Sequence, residues 1–186
     1  MVGLTALAIP ILVAAVFVFV VSSLIHMVFK WHKSDYSSLA KESEAADGLR
    51  ASNPAPGVYT LPHCADMKEM GSPEMQAKYK RGPVAMIVVM ANGNPPMGKL
   101  LGLWFGYSLL VGLFCAYIAG RTLDTGTHYL AVFRVVGAVA FMSYGLPNLV
   151  DSIWKGFPWS ASLRHAFDGL LYALVTAGTF GWLWPR

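Results

Sequence analysis

Charge is scarce in this chain. Only 13% of its 186 residues are Asp, Glu, Lys or Arg, about half the share found in an ordinary soluble domain. A soluble protein must clothe its core in polar side chains. Here the apolar residues make up 55% of the chain and come in long blocks that cannot be divided between a core and a wetted surface, which excludes a soluble globular domain. Cysteine is scarcer still. Cys64 lies in a polar connection and Cys115 deep in an apolar block, so no disulfide framework is expected. The chain has no P-loop, no H-E-x-x-H, no G-x-S-x-G, no dinucleotide-binding glycine pattern and no C-x-x-C-H. With them go the common signatures of nucleotide, metalloprotease, hydrolase and c-type haem chemistry, and no cofactor is expected. Basic residues are not clustered with aromatics, so nucleic acid is not an expected partner. No basic stretch precedes the first apolar run, and that run is too long for a cleaved signal peptide. It reads as a permanent helix.

What remains is an all-α integral membrane protein, a bundle of four transmembrane helices. The spans are expected at residues 4–29, 99–119, 129–148 and 166–184, each long enough to cross a bilayer core of about 30 Å. Pro10 is placed to bend the first and Pro147 to end the third. Trp31, Trp154, Trp159, Trp182 and Trp184 fall near span ends, where interfacial aromatics gather. The chain divides into a first span within residues 1–29, a connection over 30–97, and three spans within 98–186. In the connection, residues 35–50 read as an exposed helix or an unstructured stretch. Residues 58–61 and 84–90 are β-rich and bounded by Gly, Pro and Asn, and they are expected to pair as a small β-hairpin. A short helix is expected between them at 73–80.

Eleven of the 14 Lys and Arg fall in the connections following the first and third spans. Three, Arg121, Arg134 and Arg186, fall on the other side. The positive-inside rule then places the 30–97 connection in the cytoplasm and both termini outside. Two stripes of small residues mark packing faces: Gly98, Gly102 and Gly106 in the second span, and Gly169, Ala173, Ala177 and Gly181 in the fourth. Residues four apart share a helix face, and small ones let backbones meet in lipid. Both stripes are expected to pack mainly within the bundle, with a membrane-protein partner or a second copy as the other use.

Ionisable residues inside a membrane are costly and tend to be functional. His26 lies near the end of the first span, and His165 and Asp168 open the fourth. The topology puts all three on one side, with Asn148 and Asp151 at the end of the third span. They form a candidate polar cluster at a bundle mouth, to which Tyr107, Ser143 and Tyr144 add hydroxyls. The plainer alternatives are that His26 bonds to a neighbouring helix or faces headgroups, and that Asp168 is a first-turn residue favoured by the helix dipole. Arg134 and Asp124 are expected to pair across the outer turn. The stretch around His63, Cys64 and Met67 is rich in soft ligands suited to Cu(I) or zinc. With one Cys and one His it falls short of a specific metal site.

The stretches SSLIHMVFKWHKSDY, YLAVFRVVG and FDGLLYALVTAGTFGWLWP are similar to small multi-spanning inner-membrane proteins of bacteria to which no activity is assigned. That resemblance implies a bacterial inner membrane and no site residues. The leading expectation is a non-enzymatic accessory, scaffold or assembly subunit. A small oligomeric transporter or channel is the second, favoured by a continuous polar path and disfavoured by a dry interior. A haem- or metal-binding membrane protein using His26 and a second histidine is the third.

Overall fold

The computed structural model describes all residues, Met1–Arg186. In chain order the elements are α1 (Ala8–Met27), α2 (Glu42–Ser52), β1 (Gly57–Leu61), α3 (Pro73–Arg81), β2 (Ala85–Val89), α4 (Met97–Thr122), α5 (Tyr129–Tyr144), α6 (Pro147–Trp154) and α7 (Trp159–Trp182), with short 3₁₀ turns at Leu4–Leu7, Trp31–Ser34 and Met67–Gly71. They form two units: Met1–Ser37 with Pro96–Arg186, and Ser38–Pro95.

The first unit is a multi-span membrane bundle. Three helical stretches are long and apolar enough to cross a bilayer: Leu4–Met27, Met97–Thr122 and Tyr129–Trp154. α7 is equally long at 24 residues, but Arg164, His165 and Asp168 lower the apolarity of its first half. Pro10 falls in the first turn of α1, where its missing N–H removes no helical bond. Pro147 does not end a helix. α5 stops at Tyr144, the chain turns at Gly145 and Leu146, and Pro147 opens α6 at its first position, where proline's fixed φ suits a helix start.

α1 packs on α4 and α7, α4 on α5, and α5 most extensively on α7, so the four long helices close into a ring. At one end the Val2 N–H donates to Gly120 O at 2.8 Å, the Gly126 N–H to Pro185 O at 2.9 Å and Trp184 Nε1 to Asp124 O at 3.0 Å. Each helix therefore runs antiparallel to both its neighbours. Asp124 pairs with the terminal ammonium of Met1, not with Arg134. The core contains Leu7, Val18, Val132, Val136 and Phe180, each fully buried.

Two helix pairs meet at backbone distance. A Cβ on Gly112 of α4 would lie 3.5 Å from the Ile11 backbone of α1, and one on Gly137 of α5 would lie 3.3 Å from that of Ala177 on α7. A Cβ on Gly169 would run into the backbone of Tyr144 and Gly145, and one on Gly181 into the ring of Tyr129. The α7 stripe is thus the face laid on α5, with Ala173 and Ala177 buried along it. The α4 stripe is different. Gly98, Gly102 and Gly106 have nothing within 4 Å of a Cβ position, because α4 turns Ser108, Gly112, Cys115, Ala116 and Ala119 inward instead.

In the second unit β1 and β2 pair antiparallel from Gly57↔Val89 to Leu61↔Ala85. α3 starts at Ser72, whose hydroxyl accepts from the Met75 N–H at 3.2 Å, with Pro73 at the first position. This is the serine-proline start that favours a helix. α2 ends on Asn53 in the left-handed region, φ 44°, a conformation asparagine tolerates.

The contrast between the two glycine stripes is testable. Replacing an ordinary helical glycine by alanine is neutral or stabilising by about 0.5–1 kcal/mol. Gly102→Ala is expected to follow that rule. Gly169→Ala is expected to destabilise by about 1–3 kcal/mol through overpacking. Thermal melts in detergent read both, and a stabilising Gly169→Ala would contradict the α5–α7 contact.

Candidate metal centre

The end of the bundle opposite the termini gathers most of its buried charge. α1 carries His26 in its last turn. The chain then leaves the helix and the turn Trp31–Ser34 folds back over α7. Trp31 fixes that turn: its ring stacks on Phe29 at 5.4 Å and meets Phe167 edge-on at 6.1 Å. This brings His32 and Asp35 against the first half of α7, where Arg164 and Asp168, four residues apart, share a face.

His32 is the centre of the group. Its Nδ1 lies 2.6 Å from Asp35 Oδ2 and its Nε2 lies 2.7 Å from Asp168 Oδ2. Trp31 Nε1 also lies 2.8 Å from Nε2. The His26 and His165 rings stack against it, with centroids at 4.8 Å and 4.7 Å. Arg164 closes the far side. Its Nε donates to Asp35 Oδ1 at 2.8 Å and its Nη2 approaches the same oxygen at 2.5 Å. His165 Nε2 is 3.4 Å from Asp35 Oδ2. The Asp35 side chain is 3% exposed and Asp168 is 2% exposed. Burial alone would raise the Asp35 carboxyl, but the hydrogen bonds from His32 and Arg164 and the guanidinium charge outweigh it and hold the carboxyl below its ordinary range.

Proton positions follow from the donors and acceptors. His26 Nδ1 sits 2.9 Å from the Ser22 carbonyl, which only accepts, so Nδ1 carries the hydrogen. His32 Nδ1 faces the ionised Asp35 in the same way. His32 Nε2 faces both the Trp31 indole N–H, which can only donate, and Asp168 Oδ2 at 2.7 Å. A proton on Nε2 makes His32 an imidazolium between two carboxylates; a lone pair there accepts from Trp31 and leaves Asp168 to be met by another positive group. In either case Asp168 Oδ1 is buried with no hydrogen-bond partner, at a cost of about 1–3 kcal/mol or more for a charged group. A cation shared by His32 and Asp168 would answer both oxygens.

The ligand atoms of His26, His32 and Asp168 lie within 4.8 Å of one another, as do those of His32, Asp35 and His165. The protein is thus a membrane-embedded helical bundle with a buried His/Asp cluster capable of holding a metal ion. Imidazole nitrogen and carboxylate oxygen are the donor set of borderline divalent ions.

Of the residues singled out from the sequence, the fold brings His26, His165 and Asp168 together. Asp168 is not a capping residue, because α7 begins nine residues earlier, at Trp159. Asn148 and Asp151 stand apart on α6. The Asn148 amide donates to the Tyr144 and Gly145 carbonyls, and Asp151 pairs with Lys155 at 2.7 Å. Nor does the fold gather His63, Cys64 and Met67 into a ligand set. The Thr60 hydroxyl engages His63 at 3.2 Å, the Cys64 thiol donates to Asp66 O at 3.0 Å, and Met67 is 75% exposed. The sequence reading missed His32, Asp35 and Arg164. The signal for them was a His-x-x-Asp pair immediately after a span and an Arg four before an intramembrane Asp.

Comparison with protein-family models, with curated proteins and with solved structures finds no match, so the resemblance seen in the sequence adds nothing to the geometry.

Proposed function

We propose that this protein binds one divalent transition-metal ion at the end of its bundle, through His26 Nε2, His32 Nε2 and Asp168. One observation carries the reading: the ligand atoms of His26, His32 and Asp168 converge within 4.8 Å of one another, beside a buried carboxylate oxygen that nothing satisfies. Asp35 is the outer carboxylate that orients the His32 ring through Nδ1, an arrangement common to metal-bound histidines, and Arg164 holds Asp35. The His26 and His32 rings are parallel to within 6°, so His26 must give up its bond to the Ser22 carbonyl and rotate to aim a ring nitrogen at the ion. Its exposed position at the helix end leaves room for that. Zn²⁺ and Fe²⁺ suit this donor set; Ca²⁺ and Mg²⁺ prefer oxygen alone, and Cu(I) prefers sulfur. Stacked rings leave no slot for a porphyrin between them, which favours an ion over haem.

The interior counts against a conduction path. Three of its buried hydroxyls donate within their own helices, Ser108 to Trp104 O, Thr176 to Tyr172 O and Thr179 to Val175 O, and Ser22 and Ser162 are bonded to Trp104 and Ser152. Between them the core is apolar. The open glycine strip on α4 favours a second reading alongside metal binding, in which that face packs on a partner membrane protein or a second copy as part of a larger assembly.

The antiparallel ring supports α7 as a fourth span, since its ends lie level with those of its neighbours. The excess of Lys and Arg supports a cytoplasmic metal centre and second unit with both termini outside. In a Cys64→Ser background, single cysteines at Ser52 and Ser160 are expected to label from the cytoplasm and ones at Thr125 and Arg186 from outside. Labelling of Ser160 and Arg186 from the same side would remove the fourth span.

Metal content is the direct test of the function. Protein purified in mild detergent is expected to hold about one equivalent of a transition metal after incubation with Zn²⁺, and Asp168→Asn to lower affinity more than the ~10–100-fold typical of outer-ligand changes. His63→Ala is expected to change nothing. Wild-type protein that binds no divalent ion would contradict the reading.

A further inference from the structure

The second unit, Ser38–Pro95, lacks a core of its own. Met75 is its one buried residue. Its sheet has two strands, and an isolated two-stranded hairpin is marginally stable in water. Alternate residues of a strand share a face, and the register sets Val58 opposite Val88 and Thr60 opposite Met86. Val84 and Met90 continue that alternation just beyond the ends of β2. Val58, Val84, Val88 and Met90 are each at least 64% exposed, and Met86 is exposed as well. On the other face Ala85, Ile87 and Val89 are partly covered. Single exposed apolar residues need no explanation, but a contiguous set of them marks a contact surface.

Three observations say what covers it. The first is the tether. Residues 90–96 join β2 to α4, whose apolar span begins at Met97. Extended chain from Val89 to Met97 reaches at most about 30 Å, so the hairpin cannot leave the neighbourhood of the bilayer. The second is the absence of charge. From Gly82 to Gly98 there is no Asp, Glu, Lys or Arg, so nothing along β2 or the tether resists contact with lipid. The third is the charge at the border of that stretch. α3 ends in Lys78, Lys80 and Arg81. Lys78 pairs with Glu74, whereas Lys80 and Arg81 are exposed and meet no carboxylate. Free cations beside an apolar face are the combination that binds an anionic bilayer surface.

The strands limit how deep the contact can go. The outer edges of a two-stranded sheet carry free N–H and C=O groups, which cannot enter hydrocarbon unpaired. The face can lie only at the boundary between headgroups and acyl chains, with its side chains pointing down and its edges among water and headgroups. We propose that the open face of the β1–β2 hairpin docks on the anionic surface of the leaflet into which α4 enters, with Val58, Val84, Met86 and Val88 below the headgroups and Lys80 and Arg81 among the lipid phosphates. The bilayer then supplies the apolar cover that the second unit does not build for itself.

The test uses full-length protein in nanodiscs of phosphatidylcholine with phosphatidylglycerol, in a Cys64→Ser background; Cys115 is fully buried. A spin label is placed at Val88→Cys or, as a control on α2, at Ser52→Cys. Collision with oxygen, which concentrates in lipid, is compared with collision with a water-soluble nickel chelate. The Val88 label is expected to favour oxygen and the Ser52 label the chelate. Lys80→Glu/Arg81→Glu is expected to lower the ratio of docked to undocked label at Val88 about tenfold or more, since each basic residue near an anionic surface is worth roughly a fivefold attraction. A Val88 label open to the chelate overturns the proposal. One shielded from both reagents overturns it too, because a protein or a second copy then covers the face. A lipid-facing Val88 label indifferent to the charge reversal overturns the part assigned to Lys80 and Arg81.

Discussion

The contact between the His32 ring and the Asp168 carboxylate governs this end of the molecule. A carboxylate 2% exposed on a helix of a membrane bundle is among the costliest groups a chain can carry. It persists where something positive answers it. The one guanidinium nearby is already spent on Asp35, so the charge that answers Asp168 is a protonated His32 or, on the proposed function, a metal ion that His32 and Asp168 share. The Asp35 carboxylate, its arginine and the tryptophan that pins the turn hold the His32 ring in place for either.

The rest of the bundle makes that arrangement possible. α7 carries Arg164, His165 and Asp168 in its first half, and so gains less from lipid than its neighbours do. It is held by the α5 contact, where Gly169, Ala173, Ala177 and Gly181 let the two helices meet at backbone distance. Dispersion at such close contact substitutes for the hydrophobic drive that a bilayer does not provide between helices. Gly169 directly follows Asp168, so the residue that brings α7 onto α5 also fixes the depth of the carboxylate. An aromatic layer of Trp104, Tyr144 and Tyr172, with ring centroids 5.6–6.1 Å apart, floors the site, and the Trp104 indole bonds to Ser22 at 2.9 Å.

Much of the fold was legible in the sequence, and for physical reasons. Long uncharged runs have few alternatives to a membrane helix, so the first three spans were plain. The hairpin was equally plain, because residues 58–61 and 84–90 are β-rich and bracketed by turn residues. Boundaries set by tertiary contacts were not legible. Trp159–His165 reads as a polar connection, yet it is helical because the turn carrying His32 and Asp35 packs against it and shares its charge. The α4 glycines had the right spacing to pack, but spacing does not say which face of a helix its neighbours choose. His26, His165 and Asp168 stood out as ionisable residues in or beside apolar blocks. His32 and Asp35 did not, since in a polar connection His and Asp are ordinary, and only the fold-back of that turn makes them part of a centre.

X-ray absorption at the zinc edge of the loaded protein tests the central claim most directly, because it counts and identifies the ligands without reference to any activity. Two imidazole nitrogens and carboxylate oxygen are expected around the ion at about 2.0–2.2 Å, with no sulfur. A shell containing a sulfur at about 2.3 Å, or one without imidazole, would place the ion elsewhere in the chain and contradict the assignment to His26, His32 and Asp168.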